Sequence, residues 1–285
     1  MKRLVLFLLP ITGFLLFACA PEQAAKGYKC GLIDSSTIIL SVVFPDIKKN
    51  IENDLIIFAL VQNGEYKPIH DYNAKDNKEV KERDSILKEV KSYYSCTNGS
   101  QVNIQIDSIV SSSYDCDDLR AGRFGSKLKL QNNLVASNFK IPCNDQYERI
   151  DKDSKDSLFY KITTDSLFSQ LNAHYANIDF DIIRLKDSHD ILCFASAADS
   201  LKAISNLYFL DISNNSVRLI DVIADELEID SWGSGYEFFD YKDIDADTIP
   251  ELFIYNHGYE WTTILVYKKL GGKYVKKLEN MIFGC

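Results

Sequence analysis

The sequence predicts an α+β chain that is mainly β, with a mixed N-terminal region holding one amphipathic helix and a C-terminal antiparallel β meander built as a sandwich or as partial propeller blades. Three observations lead to this class. Short apolar runs rich in β-branched and aromatic residues recur along the chain, and the period changes to that of a helix over only two stretches. Asn, Ser and Gly clusters separate the C-terminal runs at intervals that suit hairpins. With 46% hydrophobic residues, 16 Tyr and 16 Phe, the 285-residue chain has ample material for a packed core.

At the N-terminus, Lys2 and Arg3 precede an apolar stretch from Leu4 to Phe17, shorter than the roughly 20 residues that span a bilayer. This is the pattern of a signal peptide, residues 1–18. It ends in Leu16-Phe17-Ala18-Cys19, which resembles the lipobox of bacterial lipoproteins: an apolar residue, a tolerant position, a small residue and the cysteine that receives the diacylglycerol. The resemblance implies lipidation of Cys19 and attachment to a membrane of the bacterial cell envelope, facing the periplasm or the outside. At about 0.8 kcal/mol per buried CH₂, several acyl chains make a lasting anchor. Residues 19–28 are small and polar and form a tether.

The folded part divides by composition into an N-terminal lobe, 29–150, and a β-rich C-terminal lobe, 151–285, with the polar stretch 143–156 as the boundary. In the first lobe, 36–44 and 54–62 read as buried strands, and Asn63-Gly64 as a hairpin turn. From Asp76 to Tyr94 the residues Val80, Ile86, Leu87, Val90, Tyr93 and Tyr94 fall near helical spacing, which predicts the amphipathic helix. Alternation at 101–110 and 126–131 predicts two half-buried strands. In the second lobe, Asp165 caps a short helix over 166–175 whose face is Leu167, Phe168, Leu171 and Tyr175. Eight strands follow, at 190–197, 206–212, 216–223, 226–231, 236–241, 251–256, 262–268 and 273–279. "IIFALVQNGEYKPI" (56–69) and "TILVYKKLGGKYVKKL" (263–278) share one plan: strand, glycine turn, a tyrosine two residues on, strand.

The chain carries 32 Lys plus Arg against 41 Asp plus Glu, and loss of residues 1–18 moves the balance from −9 to −11. That excess argues against nucleic acid, which needs clustered basic residues, and leaves membrane attachment to Cys19 alone. Beyond Cys19, six cysteines remain: Cys30, Cys96, Cys116, Cys143, Cys193 and Cys285. An even number in an exported protein suits disulfides, or failing those buried thiols, and the pairing preferred is Cys96 with Cys116, which would close a short loop between a helix end and the following strand. There is no CxxC and no Cys/His cluster of zinc spacing.

One stretch has the chemistry of a cation site. "DIDADTIPEL" (243–252) places Asp243, Asp245 and Asp247 at alternate positions, with the carbonyl of Ile249 and the carboxylate of Glu251 following. Hard cations take several oxygen ligands supplied in this manner. The flanks "YEFFDY" and "ELFIYN" read as strands, so an EF-hand does not apply. The phrase resembles the calcium loop of FG-GAP and VCBS-type repeats, which are β-propeller blades of exported proteins. It occurs once, covers about 20 residues, and has Thr248 where the family has glycine. The resemblance implies a structural Ca²⁺ held by Asp243, Asp245, Asp247, Ile249 and Glu251; an acidic turn without metal is the other reading.

Other constellations are sparse. Asp187-Ser188-His189-Asp190 contains the residue types of a hydrolase triad, but neighbours on a strand point to opposite faces. His257 with Glu260 and Trp261 has the make-up of a ligand loop. No nucleophile elbow, P-loop or dinucleotide fingerprint occurs, and no catalytic set is assigned. The reading is a lipid-anchored binding or scaffold module with an unidentified protein or glycan partner; the alternatives are an envelope hydrolase acting on glycans and a purely structural lipoprotein.

Overall fold

The computed structural model describes residues 36–45, 52–69, 77–97, 99–114, 117–125, 134–143, 146–152, 157–175, 177–186, 188, 190–198, 202–213, 216–228, 235–258 and 261–284. The expected signal peptide, Cys19 and the tether lie outside them. So do Cys30, Cys116, Cys285 and the strand expected at 126–131.

Among the described residues, three antiparallel sheets carry the fold. The N-terminal sheet holds β1 (Ile38–Pro45), β2 (Glu52–Gln62), β3 (Glu65–Pro68), β4 (Ser92–Thr97), β5 (Ser100–Gln105), β6 (Ser108–Tyr114), β7 (Asp117–Gly125) and β8 (Leu134–Ser137), in the order β5-β4-β8-β1-β2-β7-β6 with β3 also on β2. A meander sheet follows: β9 (Tyr147–Ile150), β10 (Ile178–Leu185), β11 (Asp190–Ala198), β12 (Lys202–Ser213) and β13 (Ser216–Glu228), each beside the next. A four-stranded meander ends the chain: β14 (Gly235–Lys242), β15 (Glu251–His257), β16 (Trp261–Leu270) and β17 (Lys273–Gly284). Among the described residues the helices are α1 (Asn77–Glu89), α2 (Ser157–Thr163) and α3 (Ser169–His174), the last entered through a 3₁₀ turn at Ser166–Phe168. Fold class and C-terminal meander are those the sequence predicts. None of the helices among these residues is long and apolar enough to cross a membrane.

The side-chain alternation of the last meander decides the layering. Phe253, Tyr255, Ile264, Val266 and Leu278 pack with Leu40, Val42, Ile56 and Phe58 of the N-terminal sheet. Their neighbours Leu252, Ile254, Leu265 and Tyr267 pack with Ile183, Leu192, Leu207 and Phe209 of the meander sheet. A strand covered on both faces loses polar alternation, which is why β15 and β16 read as nearly continuous apolar runs. The outer face of the meander sheet, with Ile182, Ile191 and Tyr208, is covered by the helical segment through Leu158, Ile162, Phe168 and Leu171. The order of layers is therefore N-terminal sheet, central sheet, meander sheet, helices. Residues 36–285 form one compact unit, in which the N-terminal sheet and the meander sheet both pack against the central sheet.

Local corrections follow from this packing. The helix expected over 76–94 ends at Glu89, because Tyr93 and Tyr94 join β4 between β5 and β8, where Tyr93 is fully buried. The strand expected at 101–110 is two strands broken at Ile106-Asp107. Ile106 and Leu87 press on Gly122 so closely that a Cβ there would lie 2.8 and 3.0 Å from their methyl carbons. The supposed linker 143–156 contains β9, and the two strands expected at 216–223 and 226–231 are one, β13. Asp165 does cap the short helical segment, accepting from the Leu167 amide at 3.0 Å.

The disulfide expectation also changes. Cys96 bonds Cys143. The pairing of β4 with β8 sets Tyr94 opposite Ser137 and carries the chain after β8 back past Cys96. Cys193, a disulfide candidate from the sequence, is a free thiol inside the meander sheet, its pKa raised by burial.

Candidate functional site

The acidic loop connects β14 to β15, at the end of the interface between the central and N-terminal sheets. It closes by local hydrogen bonds from its own backbone. Thr248 N–H donates to Asp243 Oδ2 at 3.0 Å, Ile249 N–H to Asp247 Oδ1 at 2.9 Å, and Asp247 N–H to Asp245 Oδ1 at 3.3 Å. These are the Asx-type bonds that Asp makes in turns. Thr248 stands at φ 74° and Ala246 at φ 58°, both in the left-handed region. The Thr248 position where the calcium-loop family has glycine thus keeps the glycine backbone without the residue.

Glu251 is the buried end of the loop, with no exposed surface. Its Oε2 accepts the Ile244 N–H at 3.0 Å, and its Oε1 accepts both the Tyr66 hydroxyl and the Lys268 ammonium at 2.7 Å. Lys268 also reaches Asp245 at 2.9 and 3.0 Å and Asp247 at 2.9 Å. One ammonium therefore serves three of the carboxylates expected to hold Ca²⁺. Period-two alternation explains its place. On β16, Ile264, Val266 and Lys268 share the face toward the N-terminal sheet, and register sets Lys268 across from Glu251, itself across from Lys242 of β14.

The electrostatics follow from that burial. Desolvation pushes the Glu251 carboxyl up to about 7, aided by the charge of Asp245, although the bonds from Ile244, Lys268 and Tyr66 oppose the rise. Burial works against the Lys268 charge, but the hydrogen bonds to Asp247, Glu251 and Asp245 outweigh it and hold its pKa above the ordinary value. Burial, with the Glu251 charge beside it, raises the Tyr66 phenol. Asp247, more exposed, is lowered by its bonds to Lys268 and Ile249 despite some desolvation.

As a metal site the residues fit in part. Oxygens of Asp243, Asp245 and Asp247 converge within 4.8 Å of one another, and Asp243 Oδ1 is buried with no hydrogen-bond partner among the described residues. Glu251 does not fit, because both of its oxygens are engaged inside the sheet interface. Lys268 and Tyr66 were not legible as site residues. The signal for Lys268 was a lysine on the inward phase of an apolar strand, and for Tyr66 its place two residues after a turn glycine.

That second signal recurs. Asn63-Gly64 (φ 52° and 74°) and Gly271-Gly272 (φ 58° and 81°) both make two-residue turns of the type that matches strand twist. Each is followed by a tyrosine whose hydroxyl reaches a buried carboxylate of the neighbouring sheet. Tyr66 of the N-terminal sheet bonds Glu251 of the central sheet; Tyr274 of the central sheet bonds Asp190 of the meander sheet at 2.8 Å. A lysine completes each group, Lys268 on Glu251 and Lys269 on Asp190. The hairpin plan shared in the sequence is an inter-sheet clasp used twice.

Among the described residues, the remaining candidates assemble no catalytic set. Asp190 is committed to its clasp, while Asp187 and His189 lie outside the described residues. His257 bonds Thr262 Oγ1 at 3.0 Å and Glu237 Oε2 at 3.2 Å, the order of a nucleophile, base and acid, but Thr262 is buried and presents no hydroxyl to a substrate. The hydrogen bond to His257 lowers the Glu237 carboxyl against some burial. Glu260 lies outside the described residues. No family model matches the chain, and no curated protein or solved structure matches it at a significant level.

Proposed function

We propose that this chain is a lipid-anchored cell-envelope protein that works as a non-catalytic binding or scaffold module, with its acidic loop serving as a structural clasp. The observation that carries the non-catalytic reading is Lys268: its ammonium pairs with Asp245, Asp247 and the fully buried Glu251, so these carboxylates are already engaged within the fold. The anchoring rests on the sequence alone, on Lys2, Arg3 and the Leu16-Phe17-Ala18-Cys19 run. An unidentified protein or glycan is the expected partner, and nucleic acid is disfavoured by the charge.

A structural Ca²⁺ is the second reading of the loop, favoured by the three convergent aspartates and the unpartnered Asp243 oxygen. Asp243, Asp245 and Asp247 would hold it, and it would supply positive charge at a crowded turn.

Two experiments test the proposal. Metabolic labelling with a radioactive fatty acid, followed by membrane fractionation, should label the protein and place it with membranes; Cys19→Ala should remove the label. Absence of label on the unaltered chain overturns the anchor. Calorimetric titration of Ca²⁺ then separates the two readings of the loop. Saturable one-site binding abolished by Asp243→Ala establishes the metal, and no heat at millimolar Ca²⁺ leaves Lys268 as the only cation of the loop.

A further inference from the structure

We propose that a cavity on the helical side of the meander sheet binds a small anion with an apolar body, such as a medium-chain carboxylate. It lies on the other side of that sheet from the central sheet, so it stands or falls independently of the acidic loop and of the anchor.

The cavity is an open-sided depression with a volume of about 530 Å³, within the range of small-molecule sites. Its position follows from strand alternation. On β10, Ile182 is covered by the helical segment, and the residues in phase with it farther along are Arg184 and Lys186. Register places Arg184 opposite Glu148 of β9, and the two form an ion pair at 3.3 Å. Lys161 of α2 faces the same space one helical turn after Leu158. The lining holds the cations Arg184, Lys161 and Lys186 and the carboxylate Glu148, which pairs with Arg184.

The other lining residues divide the cavity into a polar end and an apolar floor. Ile191 is 1% exposed, and Leu158 and Ile212 are half-buried beside it. Ser188 contributes a buried hydroxyl with no hydrogen-bond partner among the described residues. A buried hydroxyl without a partner is costly, and a ligand oxygen satisfies it. Lys186 is exposed at the rim and has no carboxylate within ion-pair distance among the described residues. Ammonium and hydroxyl groups above an aliphatic floor suit a carboxylate head with a hydrocarbon tail, since the head gains charge-assisted hydrogen bonds and the tail leaves water.

Calorimetric titration of octanoate into the purified full chain tests this, with neutral octanamide and inorganic phosphate as parallel probes. The expected result is saturable one-site binding of octanoate, weakened about tenfold by Lys186→Ala, as the loss of one charge-assisted bond requires. Because Lys186 lies at the rim, the melting temperature should not change. Octanamide should bind about tenfold more weakly than octanoate, and phosphate should not saturate where octanoate does. No saturable octanoate binding overturns the proposal. So does equal affinity in Lys186→Ala, or an equal response to octanamide. Phosphate binding as tight as octanoate overturns the assigned ligand class.

Discussion

Replacing Lys268 by methionine nearly keeps the volume of the side chain and removes the charged ammonium, which makes it the most direct test of the clasp. Lys268 is 4% exposed and Glu251 not at all, while Asp247 is 46% exposed and well placed to hydrate on its own. The loss therefore falls on Glu251 and, next, on the mostly buried Asp245. Breaking a buried pair by removing one partner costs about 3 to 5 kcal/mol, and that is the expected loss at pH 8. At pH 5 the loss should be smaller, because a Glu251 carboxyl whose pKa is about 7 is then protonated and no longer needs the Lys268 charge, which still pairs with the loop aspartates. The sign is set by linkage. Glu251 binds a proton more readily folded than unfolded, so its contribution favours the fold at low pH and is lost as pH rises from its ordinary 4.5 through about 7. In the unaltered chain that loss amounts to about 3 kcal/mol over this window, and Lys268→Met should deepen it. Urea denaturation of both proteins at pH 5 and pH 8 measures all four stabilities. Equal losses at the two pH values, or a loss below about 1 kcal/mol at pH 8, would refute the assignment of Lys268 as the counter-charge of Glu251.

Three further outcomes are expected. Thr248→Gly should stabilise the fold by about 1 kcal/mol in thermal or urea melts, because it relieves a β-branched residue held at positive φ; a loss would mean that the threonine side chain contributes more than the strain costs. Tyr66→Phe and Tyr274→Phe should each cost about 1 to 2 kcal/mol, and only the first should shift the pH dependence attributed to Glu251, since Tyr274 bonds Asp190. Replacing Cys96 and Cys143 together by serine opens a loop with a sequence separation of 47 and should cost about 4 kcal/mol in chain-entropy terms, read as a lowered urea midpoint that reductant reproduces in the unaltered chain.

Particular elements show what was legible in advance. The hairpins at Asn63-Gly64 and Gly271-Gly272, the Asp165 cap and the C-terminal strands were visible because each depends on residues a few positions apart. β7, β8 and β9 were not, because their sequences, "DDLRAGRFG", "LVAS" and "YERI", lack a strong apolar alternation and are strands by virtue of their partners. Arg123 of β7, for example, lies opposite Asp54 of β2 and forms a two-bonded ion pair with it at 2.8 and 3.0 Å. Tyr93 and Tyr94 fit a helix by spacing and a strand by shape, and the pairing available between β5 and β8 decided for the strand. In the acidic loop, the aspartates and Glu251 could be read from their spacing, whereas the cation facing them comes from 17 residues beyond Glu251 and the phenol from 185 residues before it.

By itself the sequence determined the β-rich class, the acidic balance, the strand-flanked loop from Asp243 to Glu251 and the hairpin plan with its tyrosine, since composition and local periodicity suffice for these. Only the tertiary structure decided that the last meander is a central sheet covered on both faces, that Cys96 meets Cys143, and that Lys268 stands among the loop carboxylates. The physical reason is common to all three. Strand alternation fixes which side chains share a face, but burial depends on what the face meets, and in this chain those partners are drawn from distant segments by sheet register and layer packing.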